Sequence, residues 1–246
     1  MPRFPIRIAG QQVDDLDALV GLVRQRAERQ TRDNPAQMNA ADGLLKSQQD
    51  PNAAEALAHA CAALVADSDD PRVLELCAQL GGKGHAVYYA AVLDRLEGGG
   101  EGGQALPDSP GPAGTPIAEQ LVQALITGEL LAHPDLVARV HDLLQRQGRS
   151  RERVRLLSFA DPHGQLADVL VAALGEDDAT DGSPAGWFLG ALMVARRQPD
   201  RLLDVAAGFA RFPESARAQL VQRLGTAAPD WWASHGQAFR SAVGLD

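Results

Sequence analysis

The densest run of like charge lies in RQGRSRERVR, residues 146–155. There Arg146, Arg149, Arg151, Arg153 and Arg155 surround a single acid, Glu152. Guanidinium forks at this density can grip a phosphate or an acidic segment through paired N–H donors. The same residues also suit a solvated helix start whose long stems lie along apolar neighbours. Two acidic clusters offer the opposite charge: Asp67, Asp69 and Asp70 in one turn, and Glu176, Asp177, Asp178 and Asp181 in GEDDATDGSP. Neither has the spacing of a calcium loop, which closes on a bidentate glutamate. They read as solvated turns with helix caps, or as docking surfaces for a basic partner with Asp177 and Asp178 as leading contacts.

Histidine, cysteine and tryptophan complete the chemically interesting set. The six histidines are His59, His85, His133, His141, His163 and His235. None forms H-E-x-x-H, and none pairs with a cysteine at zinc-site spacing. His133 and His141 share a helix face without a third ligand, so His133 is expected at a helix start and His141 as a partly exposed polar group. Cys61 and Cys77 lie on apolar helix faces, which predicts buried free thiols. No nucleophile elbow, P-loop or dinucleotide fingerprint occurs. No catalytic residue, cofactor or metal is expected. Trp232, Phe239 and Val243 recur at helical spacing, which assigns Trp232 to the core. Trp231 then points elsewhere, as a contact anchor or as part of the start of the final helix. Trp187 could line a pocket.

The balance of charge narrows the class. The chain has 246 residues and a formal net charge of −9, with 45% hydrophobic but only 4% aromatic residues. An acidic balance argues against a general nucleic-acid binder, because phosphate binding is driven by counterion release to Lys and Arg. It suits a protein partner with a basic surface. MPRFPIRIAG has no apolar h-region, and no run approaches about 18 apolar residues. The expectation is no membrane and a cytoplasmic protein. Arginine outnumbers lysine heavily, since only Lys46 and Lys83 are lysines. With abundant Ala, Gly and Pro, this composition is that of a GC-rich bacterial genome.

The elements that must position these residues are helices, and their starts are written out. Asp70-Pro71 precedes Val73, Leu76, Cys77 and Leu80, and Gly81-Gly82 follows. The aspartate accepts from orphan N–H groups of the first turn, proline fits the first helical position, and glycine tolerates the left-handed stop. Asp50-Pro51, Thr115-Pro116, His133-Pro134, Asp161-Pro162, Ser183-Pro184, Pro199, Pro213 and Pro229 repeat the sentence, each followed by an apolar face. Asp14 or Asp15 caps an earlier helix, weaker patterns lie near 35–48 and 84–97, and there is room for one more helix at 149–159. Short connections make consecutive helices pack antiparallel, and two per unit give roughly 30–45 residues, the period of helical solenoids.

LVADSDDPRVLELCAQLG (64–81) resembles a HEAT-type repeat: a helix ending in Leu-Val, an acidic Asp-Pro turn, an apolar second helix, then Leu-Gly. LLAHPDLVARVHDLL (130–144) and FARFPESARAQLVQRLG (209–225) are looser echoes. The resemblance implies an all-α fold of antiparallel helix pairs, stacked as an irregular HEAT-like α-solenoid or helical array. The chain departs from that pattern in lacking a steady period between helix starts and in its glycine-rich interruption. An irregular bundle accounts for the same faces. The interruption, within EGGGEGGQALPDSPGPAGTP, predicts a flexible linker or disordered loop over 98–114. It separates an N-terminal lobe, 1–97, from a C-terminal lobe, 115–246. RFPIRIAG alternates Phe4, Ile6 and Ile8 with Arg3 and Arg7, the period of a short β segment over 3–8. That segment can form a hairpin through AGQQV, lie extended over the first helices, or join a partner's sheet edge.

Some HEAT-like proteins bind DNA through a strongly cationic groove. In this acidic chain the corresponding alternative is a nucleic-acid-binding or processing enzyme using the edge at 146–155. The favoured expectation is a non-catalytic protein–protein interaction module: a scaffold, adaptor or regulatory subunit. Its most specific form is an immunity-type inhibitor of a basic partner. Its contact residues would be Arg146, Arg149, Arg151, Arg153, Asp177, Asp178 and Trp231.

Overall fold

The computed structural model describes residues 1–29, 40–98, 106, 107, 110, 114–181 and 183–245. Most of the 98–114 segment, where the sequence places a linker, lies outside the described residues. The chain divides into two compact units, Met1–Val140 and His141–Asp246. Apart from one hairpin, both are helical, so the fold is all-α. The first unit holds β1 (Ile6–Ile8), β2 (Gln11–Val13), α1 (Leu16–Glu28), α2 (Ala40–Ser47), α3 (Pro51–Asp67), α4 (Pro71–Leu80), α5 (Ala86–Leu96) and α6 (Ile117–Leu125). Helix α7 (Pro134–Arg146) spans the division. The second unit holds α8 (Ser150–Phe159), α9 (Leu166–Leu174), α10 (Ala185–Arg197), α11 (Leu202–Phe209), α12 (Glu214–Ala227) and α13 (Pro229–Ala242). No helix among the described residues is long and apolar enough to cross a membrane.

The strand-period segment closes on itself. β1 and β2 pair antiparallel with Ile6 opposite Val13 and Ile8 opposite Gln11. The two-residue turn is Ala9-Gly10, both at positive φ (50° and 82°), as a primed hairpin turn requires. Ile6, Ile8 and Val13 are buried. The Ala9 N–H donates to Ser47 Oγ at 2.9 Å, tying the hairpin tip to α2.

Helix starts follow the aspartates. Asp15 accepts from Ala18 N at 2.8 Å, Asp50 from Ala53 N at 3.0 Å and Asp70 from Arg72 N at 2.9 Å. Each of these caps contributes about 1 kcal/mol. Asp161-Pro162 departs from the expected form: α9 begins at Leu166, Pro162 lies in the preceding turn, and Asp161 accepts from Gln165 N and Leu166 N at 2.7 and 3.0 Å from outside the helix. Helix α4 stops at Gly81, whose φ is 61°. At Gly82, a Cβ would lie 2.6 Å from the Tyr88 ring, so Gly-Gly serves both the stop and the close approach of α5.

Alternate helices pack side by side. In the first unit α1 packs on α3 and α3 on α5, while α2 packs on α4 and α4 on α6. In the second, α8 packs on α10 and α10 on α12, while α9 packs on α11 and α11 on α13. Sequential neighbours such as α3 and α4, α5 and α6, α8 and α9, and α12 and α13 also pack. Helix α6, which follows the glycine-rich stretch, packs on α4 and α5 and so belongs to the first unit. Helices α1, α3 and α5 begin at positions 16, 51 and 86, which are 35 residues apart each time, and α8 and α10 begin at 150 and 185, again 35 apart. The other alternate steps differ: 31 and 46 residues along α2, α4 and α6, 36 and 27 along α9, α11 and α13, and 29 from α10 to α12, so the period is not steady.

Arginines close many helix ends. The last carbonyls of a helix have no intrahelical donor, and here guanidinium groups from other helices reach them. Arg95 of α5 donates to Ala66 O and Ser68 O at the end of α3, both at 3.3 Å, and pairs with Asp69 at 2.7 Å. Arg197 of α10 donates to Leu157 O and Phe159 O at the end of α8, at 3.1 and 3.2 Å. Arg211, just past α11, donates to Leu174 O and Glu176 O at the end of α9, at 2.8 and 2.7 Å. Arg217 of α12 reaches Val243 O and Gly244 O after α13. A forked donor with several N–H groups can span two such carbonyls, and a lysine ammonium does so less specifically.

Candidate functional site

The two charged motifs singled out by the sequence meet in the second unit. Leu166, Ala167, Val169, Leu170, Ala173 and Leu174 bury one side of α9 in a core shared with Val154, Trp187, Phe188 and Phe209. This core anchors α8 and sets the acidic turn after α9 against its first residues. Arg151 donates to Asp178 O at 2.6 Å, and its guanidinium lies 5.6 Å from the centre of the Trp187 ring. Trp187 is buried, and its Nε1 donates to Ala179 O at 2.9 Å. Ser150 Oγ donates to the Glu176 carboxylate. With Arg211 on Leu174 O and Glu176 O, the turn at 174–179 is held from two sides through its backbone.

This division of labour separates the acidic residues from the basic ones. Asp177 and Asp178 are exposed, and the Arg151 clamp acts on the Asp178 carbonyl oxygen. The arginines are engaged inside the chain. Arg149 pairs with Glu152 at 3.4 Å within the first turn of α8. Arg146 Nε donates to Asp142 O at 3.3 Å along α7. Arg153 is half-buried and approaches His141 Nε2 at 3.3 Å. Burial lowers its pKa from the ordinary value, with Glu176 and Asp142 acting in the other direction. His141 also lies 3.5 Å from Asp142. Of the run, Arg151 bonds the neighbouring turn and Arg146 and Arg149 bond within their own segments, while Arg146, Arg151 and Arg155 stay exposed.

Trp231 and Trp232 flank Phe239 on α13, with ring centres 6.0 Å from it in both cases. Both tryptophans are half-buried. The Trp232 indole fits a slot made by two glycines: a Cβ at Gly236 would lie 2.6 Å from it and one at Gly225 3.5 Å. Trp231 stacks on His235, with ring centres 5.1 Å apart and planes inclined at 17°. Trp231 thus keeps a partly exposed aromatic edge at the last helix of the α9, α11, α13 row.

Sequence reasoning missed two participants. Arg211 and Trp187 complete the brace, but nothing in their spacing announces it, because their partners are carbonyls on other helices. Elsewhere, Cys61 and Cys77 are buried and unbridged as expected. In the first unit Glu75 is buried and accepts from Gln79 and Gln120 at 3.1 and 3.3 Å. His133 precedes α7, and its Nε2 contacts Gly84 O. Among the described residues no three His, Cys, Asp or Glu side chains are placed to hold a metal ion. Comparison with known proteins brings no match: no family model, no curated protein and no solved structure aligns significantly with the chain.

Proposed function

We propose that this chain is a non-catalytic protein-binding module, a short HEAT-like array of helix pairs. It would hold a partner with a basic surface, as a scaffold, adaptor or regulatory or inhibitory subunit. The observation that carries the reading is the alternation of packing: α8, α10 and α12 form one row and α9, α11 and α13 another. Each row repeats one helix face side by side, and such repetition yields an extended surface suited to another protein. The braced turn supports the polarity of the partner. Its backbone is held by Arg151 and Arg211, so presenting Asp177 and Asp178 to a partner costs side-chain freedom but little backbone ordering.

The test is affinity capture from the native host with the wild-type chain and an Asp177→Lys/Asp178→Lys variant of unchanged circular dichroism. The reading expects a discrete protein partner that elutes at moderate salt and is depleted by the variant. Retention equal for both proteins and independent of salt would remove the acidic turn from the interface. Turnover of a small molecule by the purified chain would overturn the non-catalytic reading itself.

A further inference from the structure

The row formed by α9 and α11 has two exposed stripes side by side. On α9 they are Asp168, Val171 and Ala172, continued by Gly175 at its end, and on α11 Leu203, Asp204 and Ala207, continued by Ala210. The opposite faces of both helices are buried in the same core, through Leu166, Val169, Leu170 and Ala173 and through Leu202, Val205, Ala206 and Phe209. The two stripes therefore face the same way. The helices also run in the same direction. Arg201, just before α11, bridges Asp168 and Asp204 near their starts at 2.6 and 2.7 Å, and Arg211 reaches the end of α9.

The floor of this valley is apolar and low. Val171 and Leu203 are 40% and 37% exposed, among the few large apolar side chains left open to solvent. Ala172, Gly175, Ala207 and Ala210 rise little above the backbone, which lets another helix approach to roughly 8–10 Å between axes. The ends of the valley are acidic. At one end Asp168 and Asp204 share one guanidinium, Arg201, which Asp200 directly precedes in the chain. Glu176, Asp177 and Asp178 follow α9 at the other, where they outnumber the two guanidiniums, Arg151 and Arg211, that bind the turn's carbonyls.

Resting on the protein-binding reading above, we propose that the valley between α9 and α11 receives an amphipathic helix of a partner protein. The occupant carries an apolar stripe in its middle and Lys or Arg on both flanks. The valley's own backbone groups are spent within its helices, so an added strand has nothing to pair with. Recognition must come from side chains, as when a helix lies in a groove. A nine-residue helix is about 13 Å long, so the contact spans about two and a half turns of the occupant. Charge complementarity at both ends sets the register and excludes acidic helices.

The test places a benzophenone amino acid at 171, at 203 or, as a control on α12, at 218 in the full chain. Each protein is checked for wild-type circular dichroism, irradiated in native-host extract, and the adducts are sequenced by mass spectrometry. The expected result is one partner segment joined at both 171 and 203 and not at 218, with apolar residues at i, i+3 or i+4 and basic residues on both sides. Leu203→Glu should then cut the adduct at 171 by about tenfold or more, as loss of a central apolar contact does. A partner captured only at 218, an adduct with a second copy of this chain, or a joined segment without flanking basic residues would overturn the valley and leave protein binding standing. No adduct at any position would overturn both.

Discussion

Arg151 shows what one side chain does in this protein and what its loss should cost. It joins a helix start to the turn after α9 by a short bond to Asp178 O and a cation–π contact with Trp187. We expect Arg151→Ala to lower unfolding free energy by about 1–2 kcal/mol, the scale of one charged hydrogen bond with a partly exposed cation–π contact. It should also speed amide exchange at 176–181, and Arg151→Lys should recover only part of either effect. Urea melts and exchange mass spectrometry measure the two. Asp70 gives the pH dependence. Its hydrogen bond with Arg72 holds the carboxyl below its ordinary value of 3.8, while partial burial opposes this. A depressed folded pKa contributes stability that is complete above the ordinary value and is lost as pH falls through the folded one. Asp70→Asn should therefore be less stable than wild type at neutral pH, and the gap should close in strong acid. The Cys77 thiol behaves oppositely: its contact with Cys61 and its burial push it up. Neither cysteine should react with Ellman's reagent at about pH 8 until the protein is unfolded, because both are buried out of the reagent's reach.

At the scale of elements, glycines decide how closely helices pass. A Cβ at Gly208 of α11 would meet Leu174 Cβ at 2.7 Å, and one at Gly190 of α10 would meet Val154 Cγ1 at 2.8 Å. Both contacts lie between helices of the second unit, so Gly208→Ala and Gly190→Ala should destabilise by about 1–3 kcal/mol through overpacking. Gly186→Ala meets no atom within 4 Å and should be neutral or slightly stabilising by comparison. The contrast among three Gly→Ala changes separates packing from helix propensity, which favours alanine at all three. Helix boundaries were legible beforehand because Asp50-Pro51, Asp70-Pro71 and Asp15 act on their own first turns. The hairpin was legible as a strand period but not as a pairing. Whether 6–8 found 11–13 or another surface depended on the Ala9-Gly10 turn and on Ser47, which lies far along the chain.

On the scale of the whole molecule, the glycine-rich segment and the contacts of α6 make a joint prediction. Composition makes 98–114 the expected site of brief cleavage by a protease of broad specificity. Because α6 packs on α4 and α5, the two fragments should still elute together in size exclusion and part only in denaturant. A resistant full-length band would contradict the first half, and separation without denaturant the second. The sequence by itself determined helix positions, helical class and the burial of Cys61 and Cys77, because caps, prolines and apolar periodicity act within a few residues of themselves. Only the tertiary structure decided that Arg151 of the arginine run braces an acidic turn, and that Trp187 and Arg211 share in it. Those contacts join side chains to backbone carbonyls on other helices, and carbonyls are common to every residue, so no residue type or spacing encodes them.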